Sequence, residues 1–192
     1  MSQRRINDLL FVKDQTIVVV DDDSVILEML SLTLRNSFKS CEFKFFTDVN
    51  QDFWNFVQKR TVNLFILDLN LPSANAIEVT KKILKLKRGC LFLFISGSPF
   101  NEEDFKDLVG YCLFDYMSKP LDLDRLVSTI VSLLNISVSY QVATKQDNEK
   151  FQDIREHYNQ LIKRDRLMIN TFKEEIFKNR FELEKLFCSP ES

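Results

Sequence analysis

Between Thr16 and about Asn135 five short apolar runs alternate with amphipathic stretches. The runs are Thr16–Val20 (TIVVV), Glu42–Phe46 (EFKFF), Asn63–Leu67 (NLFIL), Leu91–Ile95 (LFLFI) and Leu113–Met117 (LFDYM). Most of their residues are β-branched or aromatic, as buried strands require. The stretches between them follow a helical rhythm. Val25, Leu27, Met29, Leu30, Leu32 and Leu34 fill the first, and Phe53, Phe56 and Val57 mark the second. Ile77, Val79, Ile83, Leu84 and Leu86 fill the third, while Phe105, Leu108 and Val109 predict a short fourth. Leu123, Leu126, Val127, Ile130, Leu133 and Leu134 complete the fifth. Five such units predict a doubly wound α/β domain: a five-stranded parallel sheet with helices on both faces.

In a sheet of this kind, ligands gather beyond the carboxyl ends of the strands. The residues that follow the runs therefore carry the chemistry. They are Asp21, Asp22 and Asp23 after the first, Asp68 after the third, Ser96 after the fourth, and Ser118 and Lys119 after the fifth. The second run, ending at Phe46 and Thr47, contributes little. Asp21, Asp22 and Asp68 would repel one another without a cation among them. Oxygen ligands with room for water suit Mg²⁺, with Mn²⁺ as the alternative ion. A carboxylate, a divalent ion, a lysine and a hydroxyl aimed at one point make a phosphoryl-transfer site. Asp68 is the best nucleophile, standing alone at the end of the most hydrophobic strand. Asp23 and Ser24 read as caps of the first helix.

Composition removes the competing chemistries. The 192 residues include three glycines and one histidine, against eighteen phenylalanines. Gly89, Gly97 and Gly110 cannot build a phosphate-binding P-loop or a dinucleotide cradle, and His157 alone cannot build a two-histidine metal centre. A net charge of −2 gives no basic surplus for nucleic acid. Cys41, Cys90, Cys112 and Cys188 form no CxxC pair, and Cys90 and Cys112 border apolar runs as small core residues. No stretch reaches the roughly 18 apolar residues of a membrane span, and no signal peptide is recognisable. A cytoplasmic protein with reduced thiols is expected.

The strings IVVVDDDSVILEML, LFILDLNLPSANAIEV, LFLFISGSP and FDYMSKPLDLDRL, in that order, resemble the receiver domain of bacterial two-component response regulators. The resemblance covers about residues 15–136 and implies the flavodoxin-like strand order 2-1-3-4-5. It implies that Asp68 is the phosphoacceptor, and that Asp22 and Asp68 bind the metal directly, with Asp21 beside them or acting through water. It implies that the backbone carbonyl of Asn70 is a further metal ligand. By the same resemblance Ser96 and Lys119 contact the phosphoryl group, Tyr116 is the switch aromatic, and the bond before Pro120 is cis. The donor would be a histidine kinase or a phosphotransfer protein. Asn75 and Ala76 replace the family's usual Asp-Gly, a change that the turn and the helix start should tolerate. Asn70 and Ser98 stand where the family tunes phosphoryl lifetime.

Residues 1–14 read as an N-terminal extension. Residues 137–146 read as a linker, although the fifth helix could equally continue through them. Residues 147–188 have no Gly or Pro and carry apolar positions at heptad-like spacing with one change of register, which predicts a long coiled-coil helix or a helical hairpin. So narrow a stripe needs a partner, either a second copy in a homodimer or another protein. Its charges balance, which argues against a DNA-binding output. Glu156, His157 and Asn159 raise two lesser readings of the tail, as a phosphotransfer or a phosphatase module. A receiver-like scaffold that works without phosphorylation is a further alternative.

Overall fold

A computed structural model describes residues 14–143 apart from 88, 100, 109 and 110. Its elements alternate as expected: β1 (Thr16–Val20), α1 (Ser24–Ser37), β2 (Glu42–Phe46), α2 (Gln51–Lys59), β3 (Leu64–Asp68), α3 (Ala76–Leu86), β4 (Leu91–Ser96), α4 (Glu102–Phe105), β5 (Leu113–Ser118) and α5 (Leu123–Ala143). All strands pair in parallel in the order β2-β1-β3-β4-β5, so β3 is central and β2 and β5 are the edges. This is the flavodoxin-like topology.

Three strands reach further than their apolar runs. β3 takes in Asp68, β4 takes in Ser96 and β5 takes in Ser118, because the ladders continue through the pairs Asp68↔Ile95 and Ser96↔Ser118. The polar residues are thus the last rungs of the sheet rather than loop residues beyond it. At the opposite end, Asn63 precedes β3 and accepts from the Thr16 N–H through Oδ1 at 2.9 Å, which ties the starts of β1 and β3 together.

Helix starts follow local chemistry. Asp23 caps α1 by accepting from the N–H groups of Val25 and Ile26, as expected from its position. Asn50 caps α2 in the same way. Asn75 caps α3 with extended backbone (φ −79°), and Ala76 is the first, buried residue of that helix. Asn75 therefore provides the cap that an Asp at this position would also provide, and the helix begins on Ala76. α5 runs to Ala143, so the backbone continues as helix through most of the span 137–146 that could also have been a linker. The helical region at 147–188, with Glu156, His157 and Asn159, lies outside the described residues, as does residue 1–13 of the N-terminal extension.

Strand alternation gives the sheet two unlike faces. Val18, Val20, Phe46, Phe65, Leu67, Phe92, Phe94, Phe114 and Tyr116 share the core cluster with Phe53 and Val57 of α2, Val79 and Ile83 of α3, and Phe105 of α4. The intervening residues, among them Ile17, Val19, Leu64, Ile66, Leu93 and Ile95, are buried on the other face, where α1 and α5 meet. One layer is dominated by aromatic rings and the other is mostly aliphatic, with Phe43 and Phe45 stacked at its β2 edge (centroids 6.2 Å). Within the aromatic layer Phe92 stacks on Phe65 (centroids 5.5 Å, planes 14° apart) and on Phe94 (6.2 Å, 10°). Phe46 meets Phe53 edge-on at 5.4 Å, and Phe105 stacks on Phe114 at 5.2 Å. Such pairs contribute roughly 0.5–1.5 kcal/mol beyond the area they bury.

Cys90 and Cys112 are buried, and burial pushes the Cys90 thiol up to about 11. Both are core residues, in keeping with their setting in the sequence. On α1, by contrast, Val25 and Leu32 stay largely exposed despite their place in the apolar pattern.

Phe92 has no exposed surface and neighbours on both sides, so Phe92→Ala leaves a cavity that rigid strands cannot close. Its cost is expected to be about 3–5 kcal/mol, read as a lower midpoint in urea with an unchanged slope. A loss below about 1 kcal/mol would show that the aromatic layer collapses around the gap.

Candidate functional site

The carboxyl edge of the sheet gathers the polar strand ends at one point. Asp21, directly after β1, is buried; Asp22 beside it is exposed; Asp68, the last residue of β3, is buried. One oxygen from each lies within 4.8 Å of the others, as a group that a metal ion could join. β1 and β3 are neighbours in the sheet, which is why residues 47 positions apart meet here.

Lys119 reaches this group from the end of β5. Its Nζ lies 2.6 Å from Asp68 Oδ2, as a hydrogen bond, and 2.8 Å from Asp21 Oδ2, as an ion pair off the hydrogen-bond direction. The remaining oxygens are held by backbone. Asp68 Oδ1 accepts from the Asn70 N–H at 2.9 Å, and Asp21 Oδ1 accepts from the Asp23 N–H at 3.0 Å. Burial raises the pKa of Asp21, with Asp68 adding to the rise and Lys119 and the Asp23 N–H opposing it. Burial also pulls Lys119 down, but its two carboxylate partners outweigh that and the net shift is upward. The lysine is therefore held as an ammonium.

Ser96 closes the site from β4 and is buried. Its Oγ accepts from the Asn70 amide at 3.3 Å and from the Ser98 N–H at 3.0 Å. With both acceptor positions used, its own proton remains to be donated toward the cluster. The Lys119 N–H donates to the Ser96 carbonyl at 2.7 Å, so the hydroxyl and the ammonium hang from one backbone link. The Lys119–Pro120 bond is cis, as the resemblance implied.

Tyr116 lies inward, 6% exposed, its ring edge-on to Phe105 at 6.1 Å and its hydroxyl donating to the Ser98 carbonyl. The resemblance implied an aromatic that moves in, and here it is already in. Two contacts near the site escaped the sequence reading. Lys81 on α3 bridges Glu78 at 2.8 Å and Asp107, beyond α4, at 2.7 Å, and Ser73 donates to Asp48 across two loops. Nothing in local pattern marks Lys81–Asp107 or Ser73–Asp48, which join residues 26 and 25 positions apart, whereas Lys81–Glu78 is an ordinary i, i+3 helix pair.

The donor set suits a small hard cation. Every candidate ligand is an oxygen, and Asp21 Oδ2 is buried with no hydrogen-bond partner of its own. Asp22, Asp21 and Asp68 are the residues that fit Mg²⁺, with no soft ligand among them.

Comparison with known proteins agrees with this reading of the fold. Residues 17–131 match the response regulator receiver domain family. The chain is 29% identical over 122 residues to the cell cycle response regulator CtrA of Brucella ovis and of Brucella abortus, covering 63% of this chain and 50% of each relative. It thus spans about half the length of the curated relatives it matches. Among solved structures it resembles a receiver domain protein from Methanospirillum hungatei (TM-score 0.58, 23% identity, 66% of this chain and 98% of that one). It also resembles a two component transcriptional regulator AraC from Clostridium phytofermentans (TM-score 0.59, 21% identity, 67% and 98%). These two likenesses carry the fold alone.

Lys119→Met removes the cation that separates two buried carboxylates. The variant is expected to lose about 2 kcal/mol of stability in metal-free buffer at neutral pH, less than for a fully buried pair because the ammonium keeps some access to water. Asp21, whose pKa is already raised by burial, loses a neighbour that pulled it down. An acid whose folded pKa lies above its unfolded one loses stability as pH rises between the two and regains it as pH falls. The deficit should therefore shrink from neutral pH to about pH 4.5 in urea titrations. A deficit that stays constant or grows on acidification would count against the charge argument.

Proposed function

Since the chain belongs to the response regulator receiver domain family, we propose that it accepts a phosphoryl group on Asp68 from a phosphohistidine donor, a histidine kinase or a phosphotransfer protein. The observation that carries this reading is the Asp68 carboxylate at the end of the central strand, fixed by the Lys119 ammonium at 2.6 Å and the Asn70 N–H at 2.9 Å. An Asp68 oxygen attacks phosphorus, the P–N bond to the donor imidazole breaks, and the imidazole nitrogen keeps the electron pair. The products are an acyl phosphate and a free histidine. Asp22, Asp68 and the Asn70 carbonyl, with Asp21 beside them or through water, would hold Mg²⁺, which would supply neutralisation of the phosphoryl oxygens.

The chain's own groups do the rest. Lys119 keeps the nucleophile oriented and meets the incoming negative charge. The Ser96 hydroxyl donates a hydrogen bond to a phosphoryl oxygen. Asn70, which holds both Asp68 and Ser96, positions nucleophile and hydroxyl together. Because Tyr116 is already inward, the element that responds is the turn at Ser96–Ser98, whose carbonyl holds the tyrosine hydroxyl. A shift of that turn reaches α4 and β5 through the Tyr116–Phe105 contact. Output runs through protein–protein contact or dimerisation of the C-terminal segment, a reading supported by its balanced charge. The chemistry stays that of a phosphoacceptor, with at most its own phosphorylation and dephosphorylation.

Incubation with acetyl phosphate and Mg²⁺ should add one phosphoryl group to the intact chain by mass spectrometry. The addition should disappear in Asp68→Asn and in excess EDTA. Equal labelling of Asp68→Asn would place the acceptor elsewhere, and equal labelling in EDTA would remove the metal from the reaction.

A further inference from the structure

The open edge of the sheet, on the side away from Lys119, carries a second feature. Among the described residues, β2 pairs only with β1. Glu42 N–H donates to the Gln15 carbonyl at 2.8 Å and the Phe46 carbonyl accepts from Asp21 N–H at 3.2 Å, so the even-numbered residues of β2 aim their backbone groups inward. The N–H and C=O of Phe43 and Phe45 consequently face outward, with no strand partner among the described residues. Between this edge and α2 lies a cleft of about 580 Å³. Half-buried Phe56 lines it on the α2 side and half-buried Phe45, with Arg35 of α1 over its ring at 5.5 Å, lies on the opposite face of β2; exposed Lys44, Lys59 and Arg60 stand over the cleft against one lining carboxylate, Asp52.

We propose that this cleft receives an acidic, extended segment of a partner protein, which joins the sheet beside β2 as an added strand. The backbone supplies alternating donors and acceptors at the open edge, the requirement for strand addition. The charge selects the occupant. Lys44, Lys59 and Arg60 form no ion pair with a carboxylate among the described residues, which is also true of other surface cations such as Lys85 and Lys87, but these three stand together at one cleft. Lys59 and Arg60 also complement the carboxyl end of α2, but Lys44 is mid-strand, over the Phe46 ring at 5.6 Å, and has no such use. An incoming residue opposite Lys44 points to the same face, so a carboxylate there meets the cations, while Glu42 on that same face disfavours a second carboxylate opposite itself.

The same lysine disfavours one pairing with a second copy of the chain, the symmetric one centred on Lys44. Antiparallel pairing of two β2 strands about their midpoint sets Lys44 against Lys44, with Lys59 and Arg60 adding to the repulsion. A nucleic acid would satisfy the cations but leave the row of N–H and C=O groups unmatched.

The test uses the full, ¹⁵N-labelled chain and a blocked peptide alternating valine and glutamate, with the valine–glutamine peptide as its control. The glutamate peptide should shift the amide signals of Phe43 and Phe45 and slow their hydrogen exchange. The glutamine peptide, and the glutamate peptide on Lys44→Glu, should bind at least about tenfold more weakly. Lys44→Arg should keep the affinity, which separates charge from damage to the fold. Equal affinity for both peptides, shifts centred on another face, or no binding would overturn the proposal. So would Phe43 and Phe45 amides already protected in the chain alone: at all concentrations this identifies an occupant from within the chain, and only at high concentration a second copy. Tighter binding of a single-stranded oligonucleotide to the same residues would also overturn it.

Discussion

The Lys119 ammonium is the constraint on which the carboxyl edge depends. Two carboxylates, Asp21 and Asp68, are buried side by side, and their mutual repulsion is tolerable only with a positive charge at hand. The strand order decides where that charge must come from. β5 stands two strands from β3, roughly 9–10 Å away, and only a long, thin side chain crosses that distance without displacing the hydroxyl of Ser96 on β4 between them. An arginine would bring a planar fork in place of a compact point charge. The bond from the Lys119 N–H to the Ser96 carbonyl then fixes the base of that side chain. Acid, base and hydroxyl are thus arranged by the order in which the strands lie, with each element contributing one group.

Much of this was legible before any coordinates. Strands betray themselves by apolar runs, and the residue closing each run is visible in a linear reading, so Asp22, Asp68, Ser96 and Lys119 stood out together. What a linear reading cannot hold is the ladder. Asp68 and Ser96 belong to the strands because their neighbours across the sheet continue the pairing. The inward place of Tyr116 likewise depends on Phe105, on another element, and on a backbone carbonyl, which has no side-chain signature. The bridge from Lys81 to Asp107 and the cleft beside β2 are long-range as well, and ordinary surface charges in sequence become a patch only when α2 folds against the edge strand. Asn75 was readable in kind, as a residue suited to the turn, but its service as a helix cap needed the extended backbone to be seen.

Most of the phenylalanines among the described residues gather on one face of the sheet. Rings in register across neighbouring strands, Phe65, Phe92 and Phe114 in one row and Phe94 and Tyr116 in the next, form a continuous layer that ends at the turn beneath the carboxyl edge of the sheet. Tyr116 is the polar end of that layer, its hydroxyl at the margin and its ring within.

That division has a consequence for how the chain can change over generations. Branched aliphatic residues exchange for one another at nearly constant volume, so the face beneath α1 and α5 can drift by small repacking steps. Flat rings stacked on flat rings have no replacement of equal volume and shape, and a change in one demands a change in its neighbour. Variation should therefore accumulate singly on the aliphatic side and in coordinated pairs on the aromatic side, leaving two different historical records in one sheet.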